Sequence, residues 1–238
     1  MKFHWMAGLF LVLGHPAHAQ TTDPVSQPEK PAVASSAATN APSSAPADVG
    51  RQDPFSDPLI QQIEARDRKA VAGDTQETKR LAADLEKWTA EQPQNHLLQA
   101  YLGSVYTLCS RDAWPGPGKL TYLRNGGRLL DAAVLADPLN PAVRFVRAID
   151  FYELPAIFGK RQVARDDFKI LLRQVNGETK SPYVLNVETT QAIYYYAGLS
   201  LKQQWLPIQA AGVWRRGLAL DPASTLGVKI QGELVKVR

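Results

Sequence analysis

The stretch from Ala197 to Pro222 limits what this chain of 238 residues can fold into more than any other part of it. Tyr194, Ala197, Gly198 and Leu201 recur at intervals of three and four, so they share one face of a helix. Ala197 and Gly198 are small and let a second helix approach closely. That second helix is expected over 206–220, with Pro207 tolerated near its first turn. Its inward stripe, Ala210, Val213, Trp214 and Gly217, again alternates small with large. Asp221-Pro222 ends it, because the residue before a proline is pushed out of the helical region. A helix pair of this kind cannot bury its apolar face alone, so neighbouring pairs are required.

Weaker copies stand upstream. Tyr101-Leu102, Gly103 and Tyr106 precede a helix expected over 120–136, whose ending Ala133-Val134-Leu135-Ala136-Asp137-Pro138 parallels Gly217-Leu218-Ala219-Leu220-Asp221-Pro222. An insertion over 111–119 separates the two halves of that copy. A third copy reads Ala148, Phe151, Ala164, Phe168 and Leu171, with a shorter insertion around Leu154-Pro155 and Phe158-Gly159. The first and faintest has Leu81, Leu85 and Trp88 before Pro93, after a helix expected over 58–72 and a break at Gly73-Asp74. Only 184–190 leans toward strand, and it abuts a strongly helical segment.

This order of small, bulky and terminating residues resembles the tetratricopeptide repeat (TPR) family, most closely over 197–222 and in degraded form from about residue 57. The resemblance implies an all-α, TPR-like right-handed solenoid of about four helical hairpins plus a C-terminal capping helix, in a domain over 57–238. In the family, the first helix of each hairpin lines a concave groove that holds an extended or helical peptide. Carried onto this chain, that implies a groove lined by Tyr101, Ser104 and Thr107, then Phe145, Ile149 and Tyr152, then Tyr195, Leu199 and Lys202. Each of these positions is equally readable as core between repeats. Lys202 is the one clear cation among them, so the carboxylate clamp of some family members is not implied.

Ahead of the repeats, residues 1–19 have the layout of a secretory signal. Lys2 opens it, an apolar run covers 5–14, and Ala17-His18-Ala19 is an A-x-A cleavage site. The run is far shorter than the ~20 residues of a membrane span, and no lipid-anchoring cysteine follows it. Residues 20–56, dominated by Pro, Ala, Ser and Thr, are expected to form a disordered spacer, because such a segment buries too little apolar surface to offset its ordering entropy. The expected location is therefore exported, periplasmic or secreted.

Little in the sequence carries catalytic chemistry. Three of the four histidines lie in the expected signal, leaving His96, and Cys109 is the one cysteine, so neither a disulfide within the chain nor a zinc cluster can form. His96 and Cys109 lie thirteen apart on one expected helix, ~20 Å by helical rise, too far to act as a nucleophile pair. Gly116-Pro117-Gly118-Lys119 lacks the earlier glycine and the following hydroxyl of a phosphate loop, and Pro117 removes an N–H. No cofactor or metal is expected. A formal net charge of +4, spread among many acids, is no stripe for nucleic acid.

Asp166 and Asp167 point about 100° apart on a helix, so one should face solvent and the other pair with Arg144 or Arg147. Trp114, in a Pro/Gly-rich turn, is either an exposed contact point or folded back over the hairpin ends. The primary expectation is an exported interaction or scaffold module, not an enzyme, holding a protein or peptide partner in its groove. The alternative is an all-α enzyme or accessory domain of envelope modification using Glu153 and Asp167. A third is a structural oligomer assembled through 226–235, a segment that reads better as the capping helix.

Overall fold

The structure, a computed structural model, describes residues 53–237. The expected signal at 1–19, its cleavage site and nearly all of the spacer at 20–56 lie outside the described residues. Within them the chain is all-helical: α1 (Pro58–Val71), α2 (Thr75–Glu91), α3 (His96–Asp112), α4 (Pro117–Ala136), α5 (Pro141–Glu153), α6 (Arg161–Val175), α7 (Val187–Gln203), α8 (Pro207–Leu220) and α9 (Thr225–Lys236). The packed part starts slightly earlier than composition suggests, since Phe55 is buried and Asp53 caps a single 3₁₀ turn before α1. The apparent insertion at 111–119 is mostly helix: α3 runs on to Asp112 and α4 begins at Pro117, leaving a turn of four residues, 113–116. The strand-like 184–190 gives way to α7 at Val187.

Short polar residues start most of these helices. Asp57, Asp74, Asn95, Asn140, Asn186 and Ser224 each accept a hydrogen bond from a backbone N–H of the first turn. In α4 and α8 a proline occupies the first turn instead, where a missing N–H costs nothing.

Each helix packs on the next, and the odd-numbered helices also pack on one another: α1 on α3, α3 on α5, α5 on α7 and α7 on α9. Even-numbered helices have no comparable contact among the described residues. The odd helices run in the same sense. Arg111, in the last turn of α3, donates to the carbonyls of Ala70 and Val71 at the end of α1, at 2.7 and 3.1 Å. Thr107 meets Asp150, each near the C-terminus of its helix, and Lys202 in the last turn of α7 meets Glu233 near the end of α9. The turns after α1, α3, α5 and α7 therefore share one edge of the molecule, and the turns before α3, α5, α7 and α9 share the other.

Missing side chains set the spacing within pairs. Gly103 of α3 and Gly126 of α4 lie face to face, and a Cβ on Gly126 would come within 2.6 Å of the Gly103 carbonyl. In α7 and α8 the fully buried indole of Trp214 lies directly against Gly198 and donates through Nε1 to the Tyr195 carbonyl at 3.0 Å. Gly217 gives the same room to Tyr194.

Buried charge ties the middle of the stack. Asp167 of α6 accepts from Arg144 at 2.7 Å and from both Nε and Nη2 of Arg147 at 2.8 Å. Arg147 continues to Asp131 of α4 at 3.1 Å, and Lys160 reaches the same carboxylate at 2.9 Å. Asp166 faces solvent, as the 100° rule requires.

Three helices close with one C-terminal geometry. After α1 the N–H groups of Gly73 and Asp74 return to Ala70 and Lys69, and after α6 those of Gly177 and Glu178 return to Gln174 and Arg173. In both cases a glycine takes the left-handed position, at φ +104° and +75°. After α7 the same pair of bonds forms, Trp205 to Lys202 and Leu206 to Leu201, but the residue at φ +60° is tryptophan. A Cβ in that region crowds the backbone by ~1 kcal/mol or more.

Two outcomes follow for stability. Trp205→Gly is expected to raise unfolding free energy by ~0.5–1 kcal/mol, the relief of crowding outweighing glycine's extra chain entropy, read as a higher urea midpoint. Gly198→Ala drives a methyl into Trp214 with no flexible end to yield, and is expected to lower it by ~2–3 kcal/mol. An unchanged midpoint for Gly198→Ala would contradict the packing of that ring.

Candidate functional site

The nine residues that the repeat resemblance assigns to a groove do not form one open surface. Tyr101, Ser104, Thr107, Phe145 and Ile149 are buried. The reason is the contact between odd helices: α3 packs on α1 and α5 at once, so the face projected into a groove is closed by its neighbours. Tyr101 donates its hydroxyl to Glu64 at 3.1 Å, and Phe145 packs edge-on against Tyr196 at 6.4 Å between ring centres. Phe145 and Ile149 belong to the core.

The remaining four, Tyr152, Tyr195, Leu199 and Lys202, are half-buried and come from α5 and α7. Tyr152 stands edge-on to Phe168 at 6.1 Å, and Tyr195 edge-on to Tyr196 at 5.1 Å. Glu153 lies among these phenols. Burial raises its pKa, and its charge helps burial push Tyr152 up to about 12 and Tyr195 upward. At neutral pH these phenols are therefore neutral groups, each offering one donor, one acceptor and a flat apolar face. Lys202 closes the patch through its 2.6 Å ion pair with Glu233 of α9. Burial raises the Glu233 pKa, but the ammonium groups of Lys202 and Lys236 hold it below the ordinary value. The arrangement is a half-exposed aromatic face with an acid close to its phenols and an ion pair at its end.

Asp167, the other acid considered for chemistry, is sealed in the arginine network and 1 % exposed. Cys109 is free and buried, with its thiol pushed up to about 11 by burial. His96 and Cys109 share the continuous helix α3. No group of three His, Cys, Asp or Glu side chains that could hold a metal occurs among the described residues, and no described helix is long and apolar enough to cross a membrane. Trp114 is 90 % exposed, so the folded-back placement is overturned: the turn 113–116 is too short to carry the ring over a hairpin end.

Two polar features escape the sequence reading. At the edge where the odd helices begin, a cleft of about 850 Å³ is lined by Asp53, Asp57, Asn95, His96, Asp137 and Tyr183, among others. Much of its polarity is already used: Asp57 and Asn95 are caps, and Tyr183 donates to Asp137 at 2.8 Å. The recurrent exits Pro93-Gln94-Asn95 and Pro138-Leu139-Asn140 were the signal that could have located it.

The second feature is inside. Glu64 and Asp67 of α1 and Asp150 of α5 are buried around α3. Thr107 donates to one oxygen of Asp150 at 2.8 Å, while the other oxygen of Asp150 and both oxygens of Asp67 have no hydrogen-bond partner. Burial raises Glu64 to about 7 against the Tyr101 hydrogen bond, and raises Asp150 to about 7 against Thr107 and Ser104. Burial, then the charges of Asp150 and Glu64, lift Asp67 well above the carboxylate range. Charged residues three apart on α1 read as a solvent face in sequence, and α3 covers that face.

These acids make stability fall as pH rises. A carboxyl that titrates near 7 when folded and near 4 when unfolded binds more protons in the folded state between those values. Stability from Glu64 and Asp150 is therefore greatest below pH ~4, falls to pH ~7, and levels off above. Asp150→Asn is expected to add ~2–4 kcal/mol at pH 8 and almost nothing near pH 4, measured by urea unfolding at both values. A gain of equal size at both would contradict a protonated interior carboxyl.

No protein-family model, no curated protein and no solved structure matches this chain.

Proposed function

We propose that this chain is a protein-interaction module, a TPR-like stack of helical hairpins that holds an extended or helical segment of a partner protein. The observation that supports this best is the face of Tyr152, Tyr195, Leu199 and Lys202, half-exposed on two parallel helices above a fixed core. Phenol rings immobilised by edge contacts bring large contact area at small entropic cost, the property of residues that dominate interfaces. The Lys202–Glu233 pair sets the end of the bound segment. The packing of odd helices on one another, with the even helices outside, fits such a stack, and α9 serves as its cap. On this reading the signal-like residues 1–19 direct export to the periplasm or outside the cell, with 20–56 as the tether.

The test is capture of partners from the exporting compartment of the source cell with the wild type and the double variant Tyr152→Ala/Tyr195→Ala, followed by titration of the captured partner. Affinity is expected to fall tenfold or more, with circular dichroism unchanged. Equal affinity in the two proteins would exclude this face as the binding surface.

A further inference from the structure

The edge at which the odd helices end has a feature the binding face does not explain. Three of its turns expose large apolar side chains: Trp114 in the turn after α3, Ile157 and Phe158 after α5, and Trp205 with Ile208 after α7. Trp114 and Trp205 are 90 % and 91 % exposed, and Ile157 and Ile208 are nearly as open. Phe158 and Ile157 meet Leu120 and Leu123 of α4 in an apolar hollow of about 440 Å³ between the second and third hairpins. Exposed apolar residues are common, and Leu135, Leu139, Val184, Val187 and Leu220 are exposed toward the other edge; what sets this edge apart is two almost fully exposed tryptophans in the turns themselves.

Trp205 shows that the exposure is held against a cost. Gly73 and Gly177 close α1 and α6 by the same hydrogen bonds that Trp205 makes, without crowding. At Trp205 the chain keeps a bulky ring in the left-handed region, and the ring gains almost no burial in return. Stability alone would place glycine there.

We propose that this edge is a membrane-docking surface, with Trp114, Ile157, Trp205 and Ile208 entering the headgroup region of an anionic lipid bilayer. Three features favour a bilayer over a second protein. The side chains stand on the turns after α3, α5 and α7 and, for Ile208, on the first turn of α8, a spread that a fluid interface accepts more readily than a rigid partner. Both tips of the row are tryptophan, the side chain with the strongest preference for the boundary between water and lipid. The same turns and their flanks hold five cations, Arg111, Lys119, Lys160, Arg161 and Lys202, against four acids, Asp112, Asp131, Glu153 and Glu233, with Lys160 held by Asp131 and Lys202 by Glu233, so the balance is positive by one charge. Arg111 pairs with Asp112, and Lys119 bonds only the carbonyl of Arg111, which leaves its charge for the lipid. The opposite edge, with Asp53, Asp57 and Asp137 around its cleft, would then face water.

The experiment is flotation of the chain after the expected cleavage, residues 20–238, with extruded vesicles of phosphatidylcholine alone and of phosphatidylcholine with phosphatidylglycerol, roughly seven to three. The wild type is expected to float with the mixed vesicles, more weakly with the neutral ones, and to lose binding as salt rises. The double variant Trp114→Ala/Trp205→Gly is expected to bind the mixed vesicles at least tenfold more weakly. Trp205→Gly alone should bind severalfold more weakly although it is the more stable protein, so misfolding cannot account for the loss. Flotation unchanged by the double variant, or absent with both compositions, would falsify the proposal. So would a self-association seen by light scattering without lipid that the same substitutions abolish, because the edge would then be a protein interface.

Discussion

Everything in this molecule rests on how closely two helices approach where one has no side chain. Gly103 against Gly126 and Gly198 against Trp214 bring α3 onto α4 and α7 onto α8, and Gly217 repeats the device one turn further along α8. Such contact yields dispersion energy only if the surrounding apolar faces are buried too, which one hairpin cannot do. Packing of odd helices on one another supplies the rest. The same packing that completes the core also hides most of the surface a concave groove would need. Of the surface projected as a groove, the α5 and α7 face stays half open, at Tyr152, Tyr195, Leu199 and Lys202.

The interior handles charge in two opposite ways. Around Asp167 the carboxylate is matched by two guanidinium groups, and the network locks α4, α5 and α6 at one register. Around Asp67 and Asp150 there is no such match, and protons substitute for counter-ions. Desolvating an unpaired carboxylate costs more than holding a proton above its ordinary pKa, so the acids stay neutral and the protein depends on pH for part of its stability.

The helices were readable because their signals are local: the three- and four-residue spacing of Tyr194, Ala197, Gly198 and Leu201, the stop at Asp221-Pro222 and the Asp166–Asp167 split each follow from the geometry of a single helix. Burial of Tyr101, Thr107 and Phe145 was not readable in the same way. It depends on α3 touching α1 and α5 together, a contact between segments about 40 residues apart that no periodicity reports. Glu64 and Asp67 were hidden for the same reason, since a charged pair on one helix face means solvent until another helix covers it. Trp205 was missed because the sequence marker for its backbone position is glycine, and here that marker is absent.

That absence marks a contrast between the turns at the two edges of the molecule. Where the odd helices begin, Asp57, Asn95, Asn140, Asn186 and Ser224 satisfy free N–H groups, so each polar residue lowers the energy of the fold that carries it. Where those helices end, the turns place Trp114, Ile157 and Trp205 in water and, at Trp205, strain the backbone to do so. An edge optimised for folding would have glycine in the left-handed position and polar residues at the turns, as α1 and α6 illustrate at Gly73 and Gly177. Strain that no internal contact offsets is most readily retained when something outside the fold compensates it. For side chains of this type, spaced one turn per hairpin, a surface that is both apolar and fluid meets that requirement with the fewest geometric demands on its partner.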